Sequence, residues 1–203
     1  MDLWMAWLQC VWSLRAACSR RRTFLWMVVV MAGMSTRSDR AGVTSFMRSH
    51  WLQDRAYLRL LHFFHSDAVK LDTLTRLWAQ LAVRLFGRFL VRVNGRAVLI
   101  GDGIKVAKEG RKMPAVKLLH QESGCNSKAE YIMGHSAQAL SLLVEGVAVF
   151  FAVPLACRIH EGLVFSNRSK KTLLDRLVEL IRTLGLASFP RCWCRCSRCA
   201  GTS

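Results

Sequence analysis

The sequence predicts a mixed α+β or α/β chain: a helical region over residues 1–95, then strands and one helix over residues 96–190. Three observations carry this expectation. In the first half, apolar residues recur at three- and four-residue spacing, as in Trp4, Trp7, Leu8, Val11, Trp12 and Leu14. That is the period of one face of a helix. In the second half, two apolar runs, Ile132–Val144 and Val147–Ile159, flank Glu145-Gly146, the pattern of two strands around a short turn. After them, Lys170–Leu184 gathers Leu173, Leu174, Leu177, Leu180 and Ile181 on one helical face.

The elements follow in order. Residues 1–34 read as packed helix, interrupted by the basic run Arg20–Arg22. The apolar runs Phe24–Met34 and Val144–Cys157 are shorter than the ~18–20 residues a membrane span needs. A secretory leader opens on basic residues, whereas Asp2 is acidic and the first basic residue is Arg15. Asp39 to Gly42 reads as a turn or helix start, followed by the stretch Val43–Trp51. In Asp54–His65, Tyr57, Leu60, Leu61 and Phe64 share a face. Asp72 is expected to cap a helix through Leu74, Leu77, Trp78, Leu81 and Leu85. Gly87 and Asn94-Gly95 end the helical region. Ala97–Ile100 then reads as a buried strand that stops at the turn Gly101-Asp102-Gly103. Residues 104–131 read as a polar, basic loop broken by Gly110, Pro114 and Gly124.

Charge narrows the function. Of 203 residues, 30 are Lys or Arg and 13 are Asp or Glu, a net charge of +17. Such a balance favours polyanions, nucleic acid or an anionic membrane surface. Between Gly103 and Lys117 stand Lys105, Lys108, Arg111, Lys112 and Lys117 against the single acid Glu109, a segment suited to a DNA backbone. Gly110 is followed by Arg111 and Lys112, so this is not a phosphate-binding P-loop. Gly101 and Gly103 lack the third glycine of a dinucleotide fingerprint. Nor is there a nucleophile elbow, and nothing points to a small-molecule substrate. Asp102 at a strand end is placed to hold a hard cation such as Mg²⁺, or else simply forms a turn. His120, His135 and His160 have no ligand spacing around them and read as core or surface histidines.

Residues 191–203, RCWCRCSRCAGTS, follow no helical or strand period. The spacing C-x-C-x-C-x₂-C admits a small soft-metal cluster. The preferred reading is a Cys/Arg-rich tail translated out of frame or left disordered.

The stretches VLIGDGIKVAKEGRKMPAVKLLHQES, SKAEYIMGHSAQALSLLVE and AVPLACRIHEGLVFSN resemble the start of the catalytic domain in bacterial insertion-sequence transposases of the DDE superfamily. VTSFMRSHWLQDRAYLRLLHFFH resembles the region that precedes it in the same family. The likeness spans about residues 20–190 and is most specific in GDGIKVAKEGRKMP. It implies an incomplete ribonuclease-H-like domain over residues 96–190: three antiparallel strands and a first helix. Asp102 is then the first catalytic and metal-binding carboxylate, with Mg²⁺ or Mn²⁺ as cofactor. Lys105, Lys108, Arg111, Lys112 and Lys117 become DNA contacts. The family's second Asp follows a fourth strand and its Glu lies later. Here the cysteine-rich segment stands instead, and the first strand is expected to have an uncovered edge. The resemblance further implies a bacterial cytoplasmic protein that partners DNA, further copies of itself, or full-length transposase. A frameshifted transposase without strand transfer is the leading expectation. A DNA-binding regulator of transposition and a small basic membrane-associated protein are the alternatives.

Overall fold

The structure, a computed structural model, describes residues 2–36, 39, 42–108, 115–120, 131–160, 172–185 and 192–196. Among them the chain is mixed α+β and divides into two compact units, residues 1–81 and 82–203. The division falls inside a helix, not at the Asn94-Gly95 turn that marks the end of the helical pattern.

The first unit is helical. Helix α1 (Leu3–Trp12) starts where the Asp2 carboxylate accepts the Trp4 N–H, a side-chain cap on an otherwise orphan donor. A short 3₁₀ turn (Arg15–Ala17) leads to α2 (Arg21–Thr36), α3 (Val43–Ser49), α4 (Arg55–His65) and α5 (Leu71–Phe86). Among the described residues two clusters form the core of this unit. Val11, Leu14, Cys18, Phe24, Met27 and Leu81 make one, and Val30, Phe46 and Leu60 the other. Helix α2 serves both because Phe24, Met27 and Val30 recur every three residues on one face. Gly33 lets α3 come close, since a Cβ there would lie 2.6 Å from the Phe46 ring.

Two expectations for this unit change. Residues 1–34 are packed helix over α2 but only on one stripe of α1. In α1, Val11 is buried, whereas Leu3, Trp4, Leu8 and Trp12 are exposed. A single helix ten residues long can bury only one stripe. Asp72 is not a cap either. Helix α5 already begins at Leu71, so Asp72 sits in its first turn, where its charge meets the positive end of the helix dipole. Among the described residues no helix is long and apolar enough to cross a membrane.

The second unit is built on strands. β1 (Arg92–Val93) and β2 (Arg96–Ala107) form a tight hairpin. Asn94 and Gly95 both take positive φ, 51° and 74°, as a two-residue type I′ turn requires. Strand β4 (Tyr131–Glu145) lies antiparallel to β2 on one side, and to β3 (Lys117–His120) and β5 (Phe150–His160) on the other. The hairpin between β4 and β5 turns through four residues, Gly146–Val149, rather than two. Glu145 pairs with Phe150, and Gly146 N–H donates to the Val149 carbonyl at 2.8 Å. Near Leu140 the register shifts, and the extra residue is absorbed beside Pro154. Proline cannot donate to a ladder and is tolerated at such bulges on edge strands.

Helix α6 (Leu173–Thr183) covers one face of this sheet. Its start is set by a capping box: Thr172 Oγ1 accepts the Asp175 N–H at 3.2 Å, and Asp175 Oδ2 accepts the Thr172 N–H at 2.8 Å. The helix therefore begins three residues later than Lys170. Gly185, at φ 65°, ends it. Leu177, Leu180 and Leu184 are buried, as are Ala97, Leu99, Leu140, Leu142 and Val144 of the sheet. Gly101 lies directly beneath α6, where a Cβ would stand 3.1 Å from Leu177.

The segment expected to lack any period contains a strand, β6 (Cys192–Cys196), which runs parallel to β2 in the register Ala97↔Cys192 through Gly101↔Cys196. The anticipated open edge of β2 is thus covered. Ladder pairing uses backbone groups alone, so a segment with no apolar alternation can still close an edge that would otherwise leave N–H and C=O groups unpaired.

Candidate nucleic-acid interface

β2, at 12 residues, is three times as long as the apolar run Ala97–Ile100. Residues 96–101 alternate between half-buried and buried, and residues 102–107 are all exposed. Asp102 is therefore not at a strand end. It lies mid-strand, paired in register with Ala139, which in turn faces Cys157 of β5. The ladder continues past Gly101-Asp102-Gly103 because β4 is 15 residues long and offers its backbone from Gly134 to Ala139 as partner. Asp102 Oδ1 accepts the N–H of Gly103 at 2.8 Å, a local contact typical of Asp.

Pleating then decides which residues meet. Gly101 faces α6, so in a two-residue period Gly103, Lys105 and Ala107 share that face. Asp102, Ile104 and Val106 share the other. Lys117 joins the α6 face, because it pairs with Gly134, which pairs with Ala107. The Lys117 ammonium is half-buried, and its pKa is pushed below the usual lysine range, first by that desolvation and then by the Arg176 guanidinium of α6. Lys105 donates from Nζ to the His120 carbonyl. Arg158 of β5 pairs with Gln138, the partner of Gly103, and so belongs to the same face. Lys108 follows the end of β2, its N–H donating to the Met133 carbonyl at 2.9 Å. Arg111 and Lys112 lie outside the described residues.

Where it is described, the predicted basic loop contributes two stretches of sheet, Ile104–Ala107 of β2 and Lys117–His120 of β3. Lys105 and Lys117 come together with Arg158 and Arg176 on one face, and Asp102 stands on the opposite one. Adjacency in sequence therefore does not put Lys105 or Lys117 on the Asp102 face. Arg158 and Arg176 carried no signal of their own in the sequence, since one lies inside an apolar run and the other on the flank of an amphipathic helix.

The face around Asp102 is apolar and open: Ile104, Val106 and Ile159 expose 39%, 51% and 57% of their surface. Its register neighbours Ala139 and Cys157 supply no further oxygen donor. Among the described residues no group of three or more His, Cys, Asp or Glu is placed to hold a metal ion. Among the described residues, Asp102 and its register neighbours offer a single carboxylate, whereas a Mg²⁺ or Mn²⁺ pair needs several to bring the ions within a few ångströms. His120 packs edge-on against Tyr131, ring centroids 5.1 Å apart. The side chain of His160 lies outside the described residues.

The chain matches no protein-family model, and comparison with curated proteins gives no match either.

Proposed function

We propose that the chain is a DDE-transposase-like polypeptide that binds DNA through the basic face of its sheet. What supports the transposase reading is the order of elements. Three antiparallel strands (β2, β4, β5) are followed by a helix (α6) and then by a strand parallel to the first. The three strands and the helix are what the sequence resemblance implies for residues 96–190, whereas the parallel strand falls in the segment where none was expected. What supports DNA as the ligand is the convergence of Lys105, Lys117, Arg158 and Arg176 on one face of a chain that carries a net charge of +17. Such a face contacts phosphates without reading bases.

A binding role without strand transfer, as in a regulator that occupies DNA, is favoured by a second observation. Asp102 points away from the basic face, so a duplex held there does not meet it. Strand transfer requires further carboxylates brought to the Asp102 side.

The test is fluorescence anisotropy of a labelled duplex with the full chain, at rising salt and with and without Mg²⁺. A dissociation constant of about 10⁻⁴–10⁻⁶ M near physiological salt, tightening steeply as salt falls, is expected. Mg²⁺ should act as a competing cation and no more. Absence of duplex affinity at low salt would refute the proposal.

A further inference from the structure

The helical unit contains an open groove of about 590 Å³ between the start of α2 and the outer side of α4. Arg20, Arg22, Arg59 and His62 line it, together with the half-buried rings of Trp26 and Phe63. Among the described residues no acidic side chain lines it. Guanidinium groups remain charged at any ordinary pH, so three of them around one concavity repel one another unless an anion lies between. The aromatic walls add a second requirement. Trp26 packs one side against the core around Val30, Phe46 and Leu60 and offers the rest of its ring to the groove.

We propose that this groove binds single-stranded nucleic acid. The arginines take successive phosphates, and an unpaired base lies against Trp26 and Phe63. Both requirements are then met by one ligand. A duplex keeps the faces of its bases stacked on one another and has none to offer, whereas an unpaired strand presents them freely. The size suits a nucleotide unit, since small-ligand clefts run to roughly 300–1,000 Å³. The proposal goes beyond the duplex contact of the sheet and does not rest on it, because every residue involved belongs to residues 1–81.

The test uses the full chain and a labelled twelve-residue oligothymidylate, with the matched duplex, an abasic strand of the same length and vesicles of phosphatidylglycerol and phosphatidylcholine for comparison. Arg22→Gln with Arg59→Gln is the groove variant. Both side chains are exposed, and circular dichroism checks that the helices persist. The expected result is at least a tenfold loss of oligothymidylate affinity and a salt slope smaller by about 1.4, or 0.7 per phosphate contact. The abasic strand should bind about tenfold more weakly than oligothymidylate to the unaltered chain, since stacking is worth that much per base or more. Lys105→Gln with Lys117→Gln should weaken duplex binding more than oligothymidylate binding and leave the preference for the intact over the abasic strand unchanged, which separates failure of the groove from failure of the sheet. Equal affinity for abasic and intact strands overturns the proposal. So does an unchanged slope in the groove variant, or a variant that loses vesicle binding while holding oligothymidylate as before.

Discussion

Cys18 carries a chemical consequence at the scale of a single side chain. It is 5% exposed, and its thiol lies 3.7 Å from the Met27 sulfur. Burial pushes its pKa above the ordinary thiol range, and the nearby Arg15 charge offsets this only in part. The folded chain therefore keeps the Cys18 proton at pH values where the unfolded chain has lost it. With more protons bound in the folded state, stability falls as pH climbs past the ordinary thiol range. Urea midpoints measured at roughly pH 7.5 and roughly pH 10 should drop further in the unaltered chain than in Cys18→Ala. Parallel pH profiles would sink the idea. This thiol was not legible in the sequence, where Cys18 is one of eight scattered or clustered cysteines. Its burial depends on α2 and on Leu81, far along the chain. Asp102 was legible as a candidate, but its surroundings were not. The apolar run that announces its strand ends at Ile100, and backbone pairing beyond that point leaves no trace in side-chain pattern.

Among the elements, the helices and the Asn94-Gly95 turn followed the sequence most closely, because their signals are local. Asn94-Gly95, the amphipathic stripe of α6 and the Gly185 stop are each written in a few adjacent residues. The strands beyond Gly101 were read as loop because their side chains are exposed and basic, and only their backbone partners hold them. Gly134 is the residue that permits this pairing. It pairs with both Ala107 and Lys117, and a Cβ there would fall 2.3 Å from the Val106 carbonyl oxygen. Backbone cannot give way as a side-chain tip does. Gly134→Ala should cost about 1–3 kcal/mol and raise hydrogen exchange selectively at Ile104–Ala107. Gly103→Ala, with nothing within 4 Å of its Cβ position, should leave both readouts nearly unchanged. Equal effects at the two glycines would mean that the arm of the sheet is not built around Gly134.

For the whole molecule, the net charge of +17 announced a polyanion partner but not which surface meets it. Linear sequence set Asp102 beside Lys105 and Lys108, and pleating put Asp102 and Lys105 on opposite faces. The charges that do converge come from β2, β3, β5 and α6, four elements whose adjacency only the sheet creates. The most direct measurement compares the salt dependence of duplex binding for Lys105→Gln with Lys117→Gln against that for Asp102→Asn. The basic face predicts a slope smaller by about 1.8 for the lysine pair, from 0.9 per lost phosphate contact, and no change of slope for Asp102→Asn. A slope that changes with Asp102→Asn and holds with the lysine pair would place DNA on the other face of the sheet and contradict the assignment.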